Sequence, residues 1–103
     1  MDKFGLPDKT IEAINNLFAS FKEIDKVKIF GSRARGDFKR GSDIDLALFG
    51  EINEKLLRHI TSELDELPTP YKFDVVNYND IENTALRQNI DNDGKIFFKK
   101  TYK

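Results

Sequence analysis

The stretch Asp43-Ile44-Asp45-Leu46-Ala47-Leu48 constrains this chain more than any other. Polar and apolar residues alternate there until Ala47, the period of two expected of a strand whose faces meet different surroundings. A strand over residues 43–49 turns Ile44, Leu46 and Leu48 toward a core. Asp43 and Asp45 then lie together on the other face, their Cα atoms about 6.5–7 Å apart at a rise of ~3.3–3.4 Å per residue. Two carboxylates that close repel, and ionising both in a partly buried place is costly without a cation. The pattern therefore predicts a bound divalent ion. Oxygen-only ligands beside a phosphate substrate point to Mg²⁺.

The rest of the chain supplies elements to pack around that strand. Pro7-Asp8 reads as a helix start, followed at helical spacing by Ile11, Ile14, Leu17, Phe18 and Phe21, with an end expected near Lys22. Val27–Phe30 is a short strand closed by Gly31-Ser32, and residues 33–41 read as a loop with one helical turn. A second helix is predicted over about 53–66, stopped by Pro68 and Pro70, then a strand over 71–77. A helix over about 80–89, a turn at Asn92-Asp93-Gly94 and a strand over 95–99 complete the order. No linker or repeat interrupts it. The expected class is α/β or α+β, with one mixed sheet flanked by helices and residues 1–103 forming a single domain.

Two further features belong to the acidic pair. Asp74 lies in the otherwise apolar Phe73-Asp74-Val75-Val76, where a lone carboxylate has little structural use. If its strand neighbours the first, a three-carboxylate cluster results, which suits two metal ions clamping the attacking and leaving oxygens of a displacement. Gly31-Ser32 is the expected phosphate grip, since glycine lets backbone approach a ligand and turn amides can face an anion. Arg33, Arg35, Lys39 and Arg40 add positive charge nearby, and Ser42 precedes the acids.

Gly31-Ser32, ten intervening residues and Asp43-x-Asp45 resemble the signature of the DNA polymerase β-like nucleotidyltransferases. The fuller string from Gly31 to Gly36, and from Gly41 through Leu46, is similar to the minimal nucleotidyltransferase (MNT) group, over nearly the whole chain. The resemblance implies transfer of a nucleoside monophosphate, with AMP from ATP the leading case, to a hydroxyl with release of pyrophosphate. It implies that Asp43 and Asp45 ligate two Mg²⁺ ions. Asp74 would bind the catalytic ion and help deprotonate the acceptor. Gly31 and Ser32 would hold the β- and γ-phosphates; the residues themselves, not the resemblance, suggest Arg33 and Ser42 as further contacts to the triphosphate. Many members of the group are antitoxins that place AMP on a tyrosine of a HEPN-domain toxin partner. Two alternatives stand beside that reading. One is a binding module that neutralises its partner by contact; the other is an enzyme acting on a small molecule or an RNA end.

Composition narrows the field. The absence of cysteine rules out disulfides and thiolate metal sites. With 17 basic and 18 acidic residues mixed along the sequence, direct nucleic-acid binding is not expected. Residues 1–5 lack a signal-peptide pattern and no apolar run approaches the roughly 20 residues of a membrane span, so a cytoplasmic protein is expected. Asn89-x-Asp91-x-Asp93-Gly94 mimics the front of a calcium loop, but its twelfth position is Lys100, so it reads as a turn. His59, the single histidine, reads as a packed or surface residue. Arg33 and Arg35 carry the plain alternative of facing solvent. The aromatic Phe97, Phe98 and Tyr102 form one candidate docking surface for an acceptor held by another chain.

Overall fold

The computed structural model describes residues 3–101, so Tyr102 of the expected docking surface lies outside the described residues. Helix α1 (Asp8–Ala19) leads into β1 (Ile24–Phe30), and the short α2 (Ser32–Arg35) follows at once. Then come β2 (Ile44–Gly50), α3 (Glu54–Asp65), β3 (Phe73–Asn77), a 3-10 turn over Tyr78–Asp80, α4 (Thr84–Asp93) and β4 (Lys95–Lys99). The four strands form one sheet in the order β3-β2-β1-β4. β1 runs antiparallel to β2 and β4, while β2 and β3 are parallel, so the sheet is mixed as expected. A parallel pair needs a crossover, and α3 provides it.

The alternation of β2 sorts the two faces. Ile44, Leu46 and Leu48 are fully buried, in one layer with Ile14 and Phe18 of α1 and Ile60 and Leu64 of α3. The opposite face is not left open. Ala47 is buried there with Phe30 and with Ile90 of α4, which covers the middle of that face. Asp45, near the start of β2, is only half-buried.

Several boundaries differ from expectation: β1 begins at Ile24 rather than Val27 and β3 at Phe73 rather than Tyr71, and three helix boundaries shift for local reasons. α1 stops at Ala19 because the chain turns, the Ser20 and Phe21 amides bonding back to Leu17 and Phe18. Phe21 nevertheless packs on the core and meets the His59 ring edge-on at 5.7 Å. The last helix starts at Thr84 rather than near Asp80, since Asn77 caps the 3-10 turn and Asn83 caps α4 by accepting from the Leu86 amide at 3.1 Å. Asn92 and Asp93 close that helix instead of forming the turn expected of them. The calcium-loop mimic is thus mostly helix, and Asp91 accepts a hydrogen bond from the Tyr78 hydroxyl at 2.7 Å.

Candidate active site

The site grows from the meeting of three strand ends. β1 ends at Phe30, which pairs with Asp45 at the start of β2, and Asp45 pairs in parallel register with Asp74 at the start of β3. Neighbouring strands lie about 4.8 Å apart, so the two carboxylates share one face within easy reach of each other. Asp43 stands just before β2, exposed, as is Asp74; Asp45 is half-buried between them. Burial first, then the charges of Asp74 and Asp43, raise the Asp45 carboxyl above the ordinary carboxylate range, and Arg35 and Arg33 oppose that shift.

Gly31 leaves β1 with φ of 75°, a left-handed value that glycine adopts freely. A Cβ on Gly31 would collide with the Asp45 carboxylate, so the turn's backbone lies directly against the acid. Its carbonyl accepts from the Ala34 and Arg35 amides, each at 3.1 Å, which starts α2 at Ser32. The expected single helical turn is therefore present, with Ser32 half-exposed at its start. Amides opening a helical turn have no carbonyl one turn behind them, which leaves such groups available to an anion.

Arg33 does not face solvent. It is 3% exposed, and its guanidinium donates to the Ser42 carbonyl and to the Phe4 carbonyl. Ser42 closes its own loop, its hydroxyl accepting from the Lys39 amide at 2.9 Å. That hydroxyl keeps its proton for a further acceptor.

Of the basic residues expected beside the turn, Arg35 contributes from the rim, and one further contributor, Lys95, escaped the sequence reading. Arg35 is exposed and paired with Asp37 at 3.4 Å, and it pulls the Asp45 carboxyl down more than Arg33 does. Lys95 reaches across from β4 to donate to the Ala34 carbonyl at 3.0 Å and so ties down α2. Nothing local in the sequence signals Lys95.

The donor set suits a hard cation. All three acids offer oxygen alone, and Asp45 carries unfavourable like-charge contacts that a cation would relieve. The expected three-carboxylate cluster is not closed, however. Among the described residues no three His, Cys, Asp or Glu side chains are gathered to hold one ion. Mutual repulsion favours such spreading; what the fold fixes is the Asp45–Asp74 pair and its contact with Gly31.

Residues 12–103 match the family model described as polymerase beta, nucleotidyltransferase. The chain belongs to that nucleotidyltransferase family. Solved structures share its fold. One is a toxin–antitoxin crystallised with AMP-PNP, 24% identical, with a TM-score of 0.63 over 92% of this chain and 75% of that one. A Sulfolobus solfataricus protein assigned to the nucleotidyltransferases is 26% identical, with a TM-score of 0.58 over 89% of this chain and 79% of the other. A chain from the complex of tri-AMPylated Shewanella oneidensis HEPN toxin with MNT antitoxin is 20% identical, with a TM-score of 0.59 over 89% and 71%. No curated protein matches. Among the described residues no helix is long and apolar enough to cross a membrane.

Proposed function

We propose that residues 1–103 act as one cytoplasmic nucleotidyltransferase domain that moves AMP from ATP to a tyrosine hydroxyl of a HEPN-type toxin, and so serves as its antitoxin. The observation that carries this reading is the in-register pair of Asp45 and Asp74, with the Gly31 backbone packed against Asp45. It brings an anion-receiving turn and a cation-receiving pair into contact, the arrangement phosphoryl chemistry requires. The similarity to chains from HEPN toxin–antitoxin complexes supports the choice of partner.

In this reading Gly31 and Ser32 hold the β- and γ-phosphates, with the Ser42 hydroxyl donating from the loop and Arg35 supplying charge at the exposed rim. Asp43, Asp45 and Asp74 would hold two Mg²⁺ ions, which supply charge neutralisation and orient the attacking and leaving oxygens. Asp74 takes the proton of the acceptor hydroxyl. Its exposure leaves room for an acceptor presented by another chain.

The test uses the purified chain, its HEPN-type partner, ATP and Mg²⁺. The expected result is a partner mass increased by one or more AMP units, localised to a tyrosine. Binding of the two chains with no mass gain would replace transfer by neutralisation through contact.

A further inference from the structure

The Arg33 side chain has an unusual use for a cation inside a fold this small. Its Nε and Nη2 both donate to the Ser42 carbonyl, at 3.1 and 2.8 Å. Its Nη1 donates to the Phe4 carbonyl at 2.9 Å and reaches the Gly5 carbonyl at 3.4 Å. The guanidinium carbon lies 5.1 Å from the centre of the Phe38 ring and 5.2 Å from that of Tyr71. These hydrogen-bond partners are carbonyls and the neighbours are ring faces, so the planar fork is filled from inside the protein.

The far end of this tie is itself a built element. Lys3 and Leu6 exchange backbone hydrogen bonds of 3.1 and 2.9 Å around Phe4 and Gly5, whose φ values are 59° and 71°. Both central residues are left-handed, as in a type I′ turn, and a phenylalanine there is strained. The turn is held despite this, by fully buried Leu6 and by Phe4 against Phe97 at 6.0 Å. A Cβ on Gly5 would collide with the Phe38 ring and come 3.0 Å from Arg33 Nη1. Residues 3–6 precede the segment matched by the family model.

We propose that Arg33 is a positioning residue that locks the phosphate turn to the acidic strand through the Phe4-Gly5 turn, making this N-terminal turn part of the nucleotide-site geometry. Arg33 follows Ser32 and its acceptor Ser42 precedes Asp43, so one guanidinium spans both ends of the intervening loop. The Phe4 and Gly5 carbonyls fix where that guanidinium stands. Arg33 therefore acts on the nucleotide through Ser32 and Asp43, not by touching it. The inference rests on the nucleotidyltransferase reading for its nucleotide readout alone.

The experiment compares full-length wild type, Arg33→Lys, Arg33→Met, Gly5→Val, the Arg33→Met/Gly5→Val double variant and Leu64→Ala. Binding of a fluorescent ATP analogue with Mg²⁺ is the first readout. Arg33→Met and Gly5→Val should each weaken it about tenfold and the double variant no further, because members of one network are non-additive. Arg33→Lys should fail to rescue, since an ammonium cannot reproduce the fork. Leu64→Ala, in the core, should melt lower while binding as wild type does at temperatures where it is folded. The second readout, amide hydrogen exchange over residues 31–43 without nucleotide, holds even if the wild type binds no ATP. Exchange there should quicken in both single variants, and not in Leu64→Ala. Wild-type binding by Arg33→Lys, multiplied losses in the double variant, or unchanged exchange in both singles would each overturn the proposal.

Discussion

Gly31 and Gly50 end adjacent strands at opposite ends of the sheet, and each lacks room for a side chain. At Gly50, φ is 149° and a Cβ would meet the Glu23 carbonyl, a backbone atom in the approach to β1. At Gly31, φ is 75° and the obstacle is the Asp45 carboxylate. Backbone cannot retreat without moving a strand, whereas a carboxylate can swing aside and leave the sheet intact. The same sequence letter therefore serves the fold at one end and the chemistry at the other.

Changes to each side of this contrast have unequal expected effects. Asp45→Asn should give the largest, reducing AMP transfer by about 10³-fold or more, judged by partner mass and pyrophosphate release. Full activity in that variant would remove Asp45 from the site. Gly31→Ala should cost about 10²-fold in transfer, as small misplacements near reacting groups do, with roughly 1–2 kcal/mol of stability lost to its left-handed backbone. Gly50→Ala should reverse the balance, losing about 3 kcal/mol, or roughly 12–20 °C of melting temperature, while the folded fraction keeps its activity. If Gly50→Ala instead lost activity without melting lower, the contrast between the two ends would break. Arg35→Ala should weaken ATP binding about tenfold and leave the melting temperature nearly unchanged, since its pair with Asp37 is exposed.

The smallest effect is a pH dependence. The Asp45 carboxyl is raised in the folded chain, so its ionised form is disfavoured by folding. Its protonated form thus favours the fold at acid pH, and that favour fades as pH rises through the raised value. Asp45→Asn should accordingly melt higher than nucleotide-free wild type at neutral pH, with the gap closing toward about pH 3–4. A gap independent of pH would show that ionising Asp45 in its partly buried, like-charged surroundings is not the cause.

The contrast also marks where sequence reading succeeds. The period-two pattern of β2 made the buried face of Ile44, Leu46 and Leu48 legible, because the pattern is set by local geometry alone. The capping asparagine at 53 and the prolines after residue 66 bounded α3 in the same local way. The start of α4 was missed because Asn77 and Asn83 each cap a turn, and the expected start near Asp80 merged the capped 3-10 turn Tyr78–Asp80 with the helix that follows it. The burial of Ala47 depends on Ile90, far along the chain, and was invisible in β2 itself. The burial of Arg33, expected as a phosphate contact or a solvent-facing cation, was invisible for the same reason, since its carbonyl partner Phe4 is 29 residues away. Gly31 was legible as a place of close backbone approach, but that its Cβ position is taken by the Asp45 carboxylate was not, because the contact joins two strands.

The central claim is that the Gly31 turn and the aspartates of β2 and β3 form one site for a triphosphate and its divalent ion. Mn²⁺, used as a paramagnetic substitute for Mg²⁺, tests it directly by electron paramagnetic resonance with ATP present. The wild-type chain should bind Mn²⁺ and ATP together, each tightening the other, and Asp45→Asn should lose that coupling while retaining its fold. Equal coupling in both proteins would contradict the account.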